Sequence, residues 1–271
     1  MISQDRIPFF VLSFDKYSDL WEDFFCLKEK FWPDCPFEWH VVTESTECKH
    51  TGIKTIKCGK ELNWTGRIRK ACEIVNSDYI CFFLDDFFIN ATVKNDLINE
   101  CIRNATSEEV DYYVLGDAFA RKIKTDTYYD NHIAVIPTDR PYGIDTSVAI
   151  WKKDFLLKLV GDKDCSAWQF ELDRLDEARL NVHKDRILWY DERLPLNVGS
   201  IPVVIQGKFY PKAIRDFKRK GYVINTSSRP VMTGLEVFKY DMKVFFSRIG
   251  FLKSPLKHFA GKFMGYKFFT K

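Results

Sequence analysis

A chain of 271 residues, 46% of them hydrophobic and 29% charged, has the balance of a globular protein and length for one large α/β domain or two small ones. A net charge of only +3 excludes a basic track running the length of the body, and with it nucleic acid as the expected partner. No stretch approaches the roughly 20 apolar residues a bilayer span needs.

The elements can be read in chain order. "RIPFFVLSF" is an apolar, aromatic run that predicts a buried first strand rather than a signal peptide. "YSDLWEDFFCLKEKFW" then repeats its apolar residues at a helical period, with Ser18 or Asp19 as the expected cap and "PDCP" as the stop. "FEWHVVT" and "IKTIKC" read as strands, and "WTGRIRKACEIV" as an amphipathic helix. "DYICFFL" is a strand, "TVKNDLINECIRNA" a helix capped by Thr92, and "DYYVLG" a further strand. Strand–helix alternation over the first 116 residues predicts a mostly parallel twisted sheet with helices on both faces.

Residues 117–150 are irregular and read as loops with short strands, the kind of insertion that carries substrate contacts. "SVAIW" is a strand, "KKDFLLKLV" and "AWQFELDRLDEARL" are helices, and "RILWYD" and "IPVVIQ" are strands. "YPKAIRDFKRKG" is a helix closed by Gly221. Eight cysteines occur without a CxxC pair, which disfavours a zinc or redox motif and fits reduced thiols in a cytoplasmic chain.

The C-terminal stretch differs from the body. Residues 239–271 carry seven Lys and one Arg against Asp241, a charge of +7 that leaves −4 on residues 1–238. Nine aromatics are interleaved with those bases. Phe245, Phe246, Ile249 and Leu252 can share a helical face, which Pro255 ends or kinks. Basic amphipathic segments of this kind lie on anionic membrane surfaces. The expected organisation is a domain over 1–235, divided at about residue 116, followed by a membrane-associating tail over 236–271.

The chemistry centres on "YICFFLDDFF". Asp85 and Asp86 stand side by side at the end of the most apolar run in the chain. Two buried neighbouring carboxylates are costly unless a cation lies between them. Read alone, the pair fits either a hard-cation site or two solvated aspartates opening a turn. Side chains adjacent in a strand point to opposite faces, so the backbone must turn here if both acids serve one site. Lys208 follows Gly207, where the backbone can approach a ligand closely, and could act there as a point charge. Arg67 is the stronger candidate of two arginines, with Arg69, on the helix before the Asp strand. Each of these bases is equally a solvated surface charge.

"DKYSDLW", "FWPDCP", "WTGRIRKA", "DYICFFLDDFF", "SAWQFEL" and "GKFYPKAI" together resemble bacterial GT-A glycosyltransferases of polysaccharide (O-antigen or capsule) gene clusters, over roughly residues 7–230. The resemblance implies a Rossmann-like GT-A fold with a nucleotide-sugar half over about 1–116 and an acceptor half over 117–235, a nucleoside-diphosphate-sugar donor, and a divalent cation, Mn²⁺ or Mg²⁺, at an acidic motif after the fourth strand. It implies Asp86 as the metal contact, with Asp85 holding the ribose or reaching the metal through water. The adjacent spacing departs from the family's i, i+2 acids. It further implies Asp15 and Lys16 at the nucleoside, Arg67 and Lys208 toward the diphosphate, and Glu171 as the base that deprotonates the acceptor. Trp168 and Asp173 would meet the acceptor sugar. The implied reaction is inverting transfer of a hexose, UDP-linked first, to a lipid-linked glycan by an enzyme peripheral to the inner face of the cell membrane. Two alternatives stand beside it: a sugar nucleotidyltransferase, against which "VLSFDKYSD" lacks a glycine-rich phosphate loop, and a non-enzymatic membrane or nucleic-acid binder.

Overall fold

Residues 7–117, 123–199 and 201–248 are described by the computed structural model, 245–248 for their backbone alone. Four apolar runs pair as parallel strands: β1 (Phe9–Leu12), β2 (Trp39–Thr43), β3 (Ile53–Lys57) and β4 (Tyr79–Leu84), in the spatial order β3-β2-β1-β4. Both faces of β4 are buried, as expected inside a sheet covered by helices on each side. Beyond β4 the sheet continues through β7 (Val148–Lys152), β5 (Tyr112–Gly116), β8 (Leu188–Asp191) and β6 (Ile133–Val135). β7 runs antiparallel to both β4 and β5, so β5 points the same way as β4.

Alternation along β1 shows how the two cores arise. Phe9 and Val11 face one layer, Phe10 and Leu12 the other. The first layer receives α1 (Trp21–Phe31), α3 (Asn95–Ser107) and α6 (Pro211–Arg219) through Phe24, Ile98 and Phe217. The second receives α2 (Trp64–Ile74), α4 (Lys153–Val160) and α5 (Ala167–Arg179) through Ile68, Leu156 and Phe170. The expected α/β architecture with helices on both faces is therefore present.

Several local expectations are corrected. "YSDLW" does not open an α-helix at Ser18 or Asp19: residues Asp15–Leu20 form a 3-10 turn, and Asp19 is instead drawn to Arg229. α3 begins at Asn95, three residues after Thr92, and Asn95 accepts from the Trp32 indole at 2.6 Å. "IPVVIQ" yields only β9 (Val204–Ile205), paired with β10 (Lys208–Phe209) in a small separate ribbon. Pro202 lacks the N–H a longer ladder needs. Gly221, at φ 75°, closes α6 as expected.

The proposed boundary at 236 falls inside α7 (Gly234–Arg248), whose first turns are docked on the body. Glu236 accepts from Lys208 at 2.5 Å, and Asp241 from Lys212 at 2.8 Å and from the Tyr210 hydroxyl. Leu235 and Phe238 on this helix are exposed. Ile249, Leu252 and Pro255 lie outside the described residues, as do the side chains of Phe245 and Phe246. No helix among the described residues is long and apolar enough to cross a membrane.

Candidate active site

Parallel strands bring their carboxyl ends to one edge of the sheet, where loops rather than further strand must satisfy the backbone. At that edge β4 ends and the chain turns at Asp85 and Asp86, closed by Phe87 N–H donating to Leu84 at 3.1 Å. Phe88 re-enters the core, fully buried. The adjacent acids thus occupy the turn their spacing requires.

Asp85 is 8% exposed and accepts a 2.5 Å hydrogen bond from the Ser13 hydroxyl at the end of β1. Ser13 in turn accepts from the Trp21 indole N–H at 2.8 Å. Burial pushes the Asp85 carboxyl up to about 8, and the charge of Asp86 adds to the rise. The bond from Ser13 and the charge of Arg229 work against it. Burial raises Asp86 as well. Asp86 is half-buried, and among the described residues no other side chain hydrogen-bonds its carboxylate. A pair of oxygen donors that resists carrying two negative charges fits a hard divalent cation. Asp86 is the half-buried member of the pair, and Asp85 is held by Ser13.

A cleft of 460 Å³ is lined by Lys16, Tyr17, Ser18 and Asp19 from the 3-10 turn, by Gly207 between β9 and β10, and by Ser228 and Arg229. Arg229 is clamped on Asp19 by two bonds, Nε to Oδ2 at 2.8 Å and a second amino group to Oδ1 at 2.5 Å. Ser228 donates to the same carboxylate at 2.7 Å. The positive charge of Arg229 is felt at both Asp85 and Asp86. One wall of the cleft thus comes from the start of the chain and the other from its end. Lys16 is exposed, with its ammonium 5.0 Å from the centre of the Tyr17 ring.

The remaining predicted residues are placed as follows. Asp15 accepts from Thr43 at 2.9 Å, from the Ser45 and Thr46 amides at 3.0 Å each and from the Ser45 hydroxyl at 2.6 Å. Burial opposes its ionisation, but these bonds prevail and hold its carboxyl well below the usual range. It bolts the β1 loop to the β2 loop. Arg67 is 2% exposed, donating to Leu62 at 3.0 Å and Ser13 at 2.6 Å, with Glu44 at 3.4 Å and its guanidinium 3.7 Å over the Phe14 ring. Its donors brace the loop from beneath rather than face the cleft. Lys208 is paired with Glu236, so the Gly207 turn reaches the cleft without it.

Glu171 does come to the same edge. Its Oε1 accepts from the Thr146 amide at 3.2 Å and hydroxyl at 2.6 Å, just before β7. β7 runs antiparallel to β4, so Thr146, just before its first residue, lies at the edge where β4 ends. α5 is fixed by its cap, Ser166, which accepts from Gln169 at 3.2 Å. Asp173 accepts from the Gln169 side chain at 2.7 Å, and Trp168 is 57% exposed on the same helix. Sequence reading missed Ser13, Thr146 and the Asp19–Arg229 clamp. Ser13 stands within "VLSFDKYSD", but nothing local marks Arg229, which meets Asp19 across 210 residues.

No family model matches the chain, and no curated protein matches it in sequence. Among solved structures, it is similar to the bifunctional IspDF of Campylobacter jejuni, with 13% identity, a TM-score of 0.36, and coverage of 62% of this chain and 47% of that one. S. aureus TarS gives 11%, 0.41, 69% and 36%. An active-site mutant of LgtC gives 10%, 0.37, 84% and 85%. This chain spans about half the length of IspDF and about a third of TarS. At such identities and scores the likenesses are too loose to bear on function.

Proposed function

We propose that this chain is an inverting glycosyltransferase of the GT-A type, moving a hexose from a nucleoside-diphosphate sugar, UDP-linked first, onto a glycan acceptor. The observation that carries the reading is the Asp85–Asp86 turn: two acids at the carboxyl end of the central parallel strand, one buried and one half-buried. The Arg229 clamp beside them supports it, as does the sequence resemblance to GT-A transferases of polysaccharide gene clusters. The diphosphate lies toward Lys16 and Arg229, whose charges favour its negative oxygens. Asp86, with Asp85 behind it, would hold Mn²⁺ or Mg²⁺, which supplies charge stabilisation on the departing diphosphate.

Glu171 is the acceptor's base. Its carboxylate takes the hydroxyl proton as the oxygen bonds to the anomeric carbon, and the bond to the diphosphate breaks with its electron pair on the leaving group. Thr146 orients that carboxylate. Trp168 and Asp173, on the same helix, meet the acceptor sugar. Asp15, Arg67 and Glu44 keep the nucleoside loop in shape. A lipid-linked acceptor, in surface polysaccharide synthesis at the inner membrane face, agrees with the basic aromatic tail.

The test is a thermal-shift screen of nucleotide sugars with Mn²⁺, followed by turnover of the sugar that binds. Glu171→Gln is expected to keep donor binding and lose roughly 10²–10⁴-fold in transfer. Failure of every nucleotide sugar to stabilise the protein, or lost donor binding in Glu171→Gln, contradicts the proposal.

A further inference from the structure

Helix α1 carries a second set of ligand atoms, apart from the cleft. Glu22, Cys26 and Glu29 follow each other at i, i+4 and i+7 and so share one face. His50 is laid over that face from the loop between β2 and β3. Its ring sits on Phe25, with centroids 5.4 Å apart, and its side chain is only 10% exposed. Nδ1 lies 3.3 Å from one oxygen of Glu22, and Cys26 Sγ donates to the other at 3.4 Å. Nε2 lies 2.9 Å from Glu29 Oε1.

One ligand atom from each of Glu22, Cys26 and His50 can be chosen so that all lie within 4.8 Å of one another. A tetrahedral ion with bonds of ~2.0–2.3 Å holds its ligands roughly 3.3–3.8 Å apart. Nδ1 and Sγ each lie at that distance from a Glu22 oxygen, Nδ1 from Oε2 and Sγ from Oε1, so a small turn of the carboxylate brings one oxygen to both. The mixture of one sulfur, one imidazole nitrogen and one carboxylate oxygen suits Zn²⁺ and disfavours Mg²⁺ or Ca²⁺. Glu29 completes the pattern from outside. A ligating histidine commonly donates its other N–H to a carboxylate, which fixes tautomer and ring orientation. An ion-paired surface histidine needs the two glutamates but not the thiol.

We infer that Glu22, Cys26 and His50 form a binding site for Zn²⁺, with Glu29 as the carboxylate that orients His50. Glu22 and His50 also line a hollow of 230 Å³, with Thr46 and Cys48, from which water can complete the ligand set. The ion staples α1 to the β2–β3 loop. That loop's Ser45 and Thr46 hold Asp15, and Ser18 lines both this hollow and the cleft. Zinc binding therefore stiffens the segment that carries Lys16 and Asp19.

Cobalt(II) titrated into the full chain, freed of metal and kept reduced by a phosphine, tests this. The wild type should develop a thiolate-to-cobalt charge-transfer band that saturates at one equivalent and is displaced by Zn²⁺. Cobalt at Asp85 and Asp86 gives no such band, because those ligands are oxygen. Cys26→Ser should abolish the band, while Cys165→Ser, at another half-exposed thiol, should keep it. Glu29→Gln should weaken zinc binding about 10–100-fold without removing the band. No band in the wild type, or a band unchanged by Cys26→Ser in protein of native circular dichroism, overturns the inference.

Discussion

Asp85 is the sharpest point at which to test the site, because its side chain opposes folding in a calculable direction. Its carboxyl is raised from 3.8 to about 8 by burial and by Asp86. The folded protein then holds a proton that the unfolded chain gives up, so stability falls as pH rises from 3.8 to about 8 and is flat beyond. Each pH unit inside that window costs about 1.4 kcal/mol, so the penalty at pH 7 is on the order of 4 kcal/mol. Asp85→Asn keeps the shape and lets the amide oxygen still accept from Ser13. In EDTA at pH 7 the variant should be more stable than the wild type by roughly 3–4 kcal/mol, or about 10 °C in Tm. The gap should close toward pH 4. Mn²⁺ with UDP should raise the Tm of the wild type more than that of the variant. Equal melting in EDTA at pH 7, or a gap independent of pH, would refute the account of a buried, frustrated carboxylate.

Other consequences are as direct. Arg229→Met leaves Asp19 with only Ser228 as a side-chain donor and should lower stability by about 1–3 kcal/mol in urea titrations. Adding Asp19→Leu should restore much of that stability but not UDP affinity. Asp15→Asn should destabilise at pH 7, because the native carboxyl titrates below its usual range. That contribution is present above 3.8 and lost as pH falls through the lowered native value, so urea midpoints of variant and wild type should converge in acid. Deleting residues 249–271 should abolish flotation with anionic vesicles while leaving the melting temperature unchanged; retained flotation rejects the anchoring role of the tail.

Apolar runs and their punctuation made most of the first half of the fold legible. β1 to β5 and the helices between them appear in the expected order, with α1 and α3 beginning about a turn later than their patterns suggest. The antiparallel insertion of β7 between β4 and β5 was not legible, since "SVAIW" is buried on both faces and carries no sign of its direction. "IPVVIQ" has a strand's composition, yet most of its length packs as loop. In the site, the Asp pair was visible because charge inside an apolar run is anomalous. Asp15 was visible as a polar residue in the right loop and Arg67 as a base on the helix before the Asp strand, but the sequence could not show that their hydrogen-bonding groups are already engaged within the protein. Ser13 reaches Asp85 across 72 residues, and such pairings have no local signal.

The clamp that finishes the cleft also sets when the cleft can exist. Asp19 meets Ser228 and Arg229, and Asp23 meets Tyr222 and Asn225, across about 200 positions of chain. Contacts so distant in sequence form slowly, because their closure entropy is met before any contact rewards it. During synthesis the sheet's first strands have their partners long before Arg229 leaves the ribosome. Until then the Asp85–Asp86 turn has no nearby guanidinium and the 3-10 turn no opposite wall. The nascent protein can hold a nearly complete hydrophobic core while its binding cleft is still only half built.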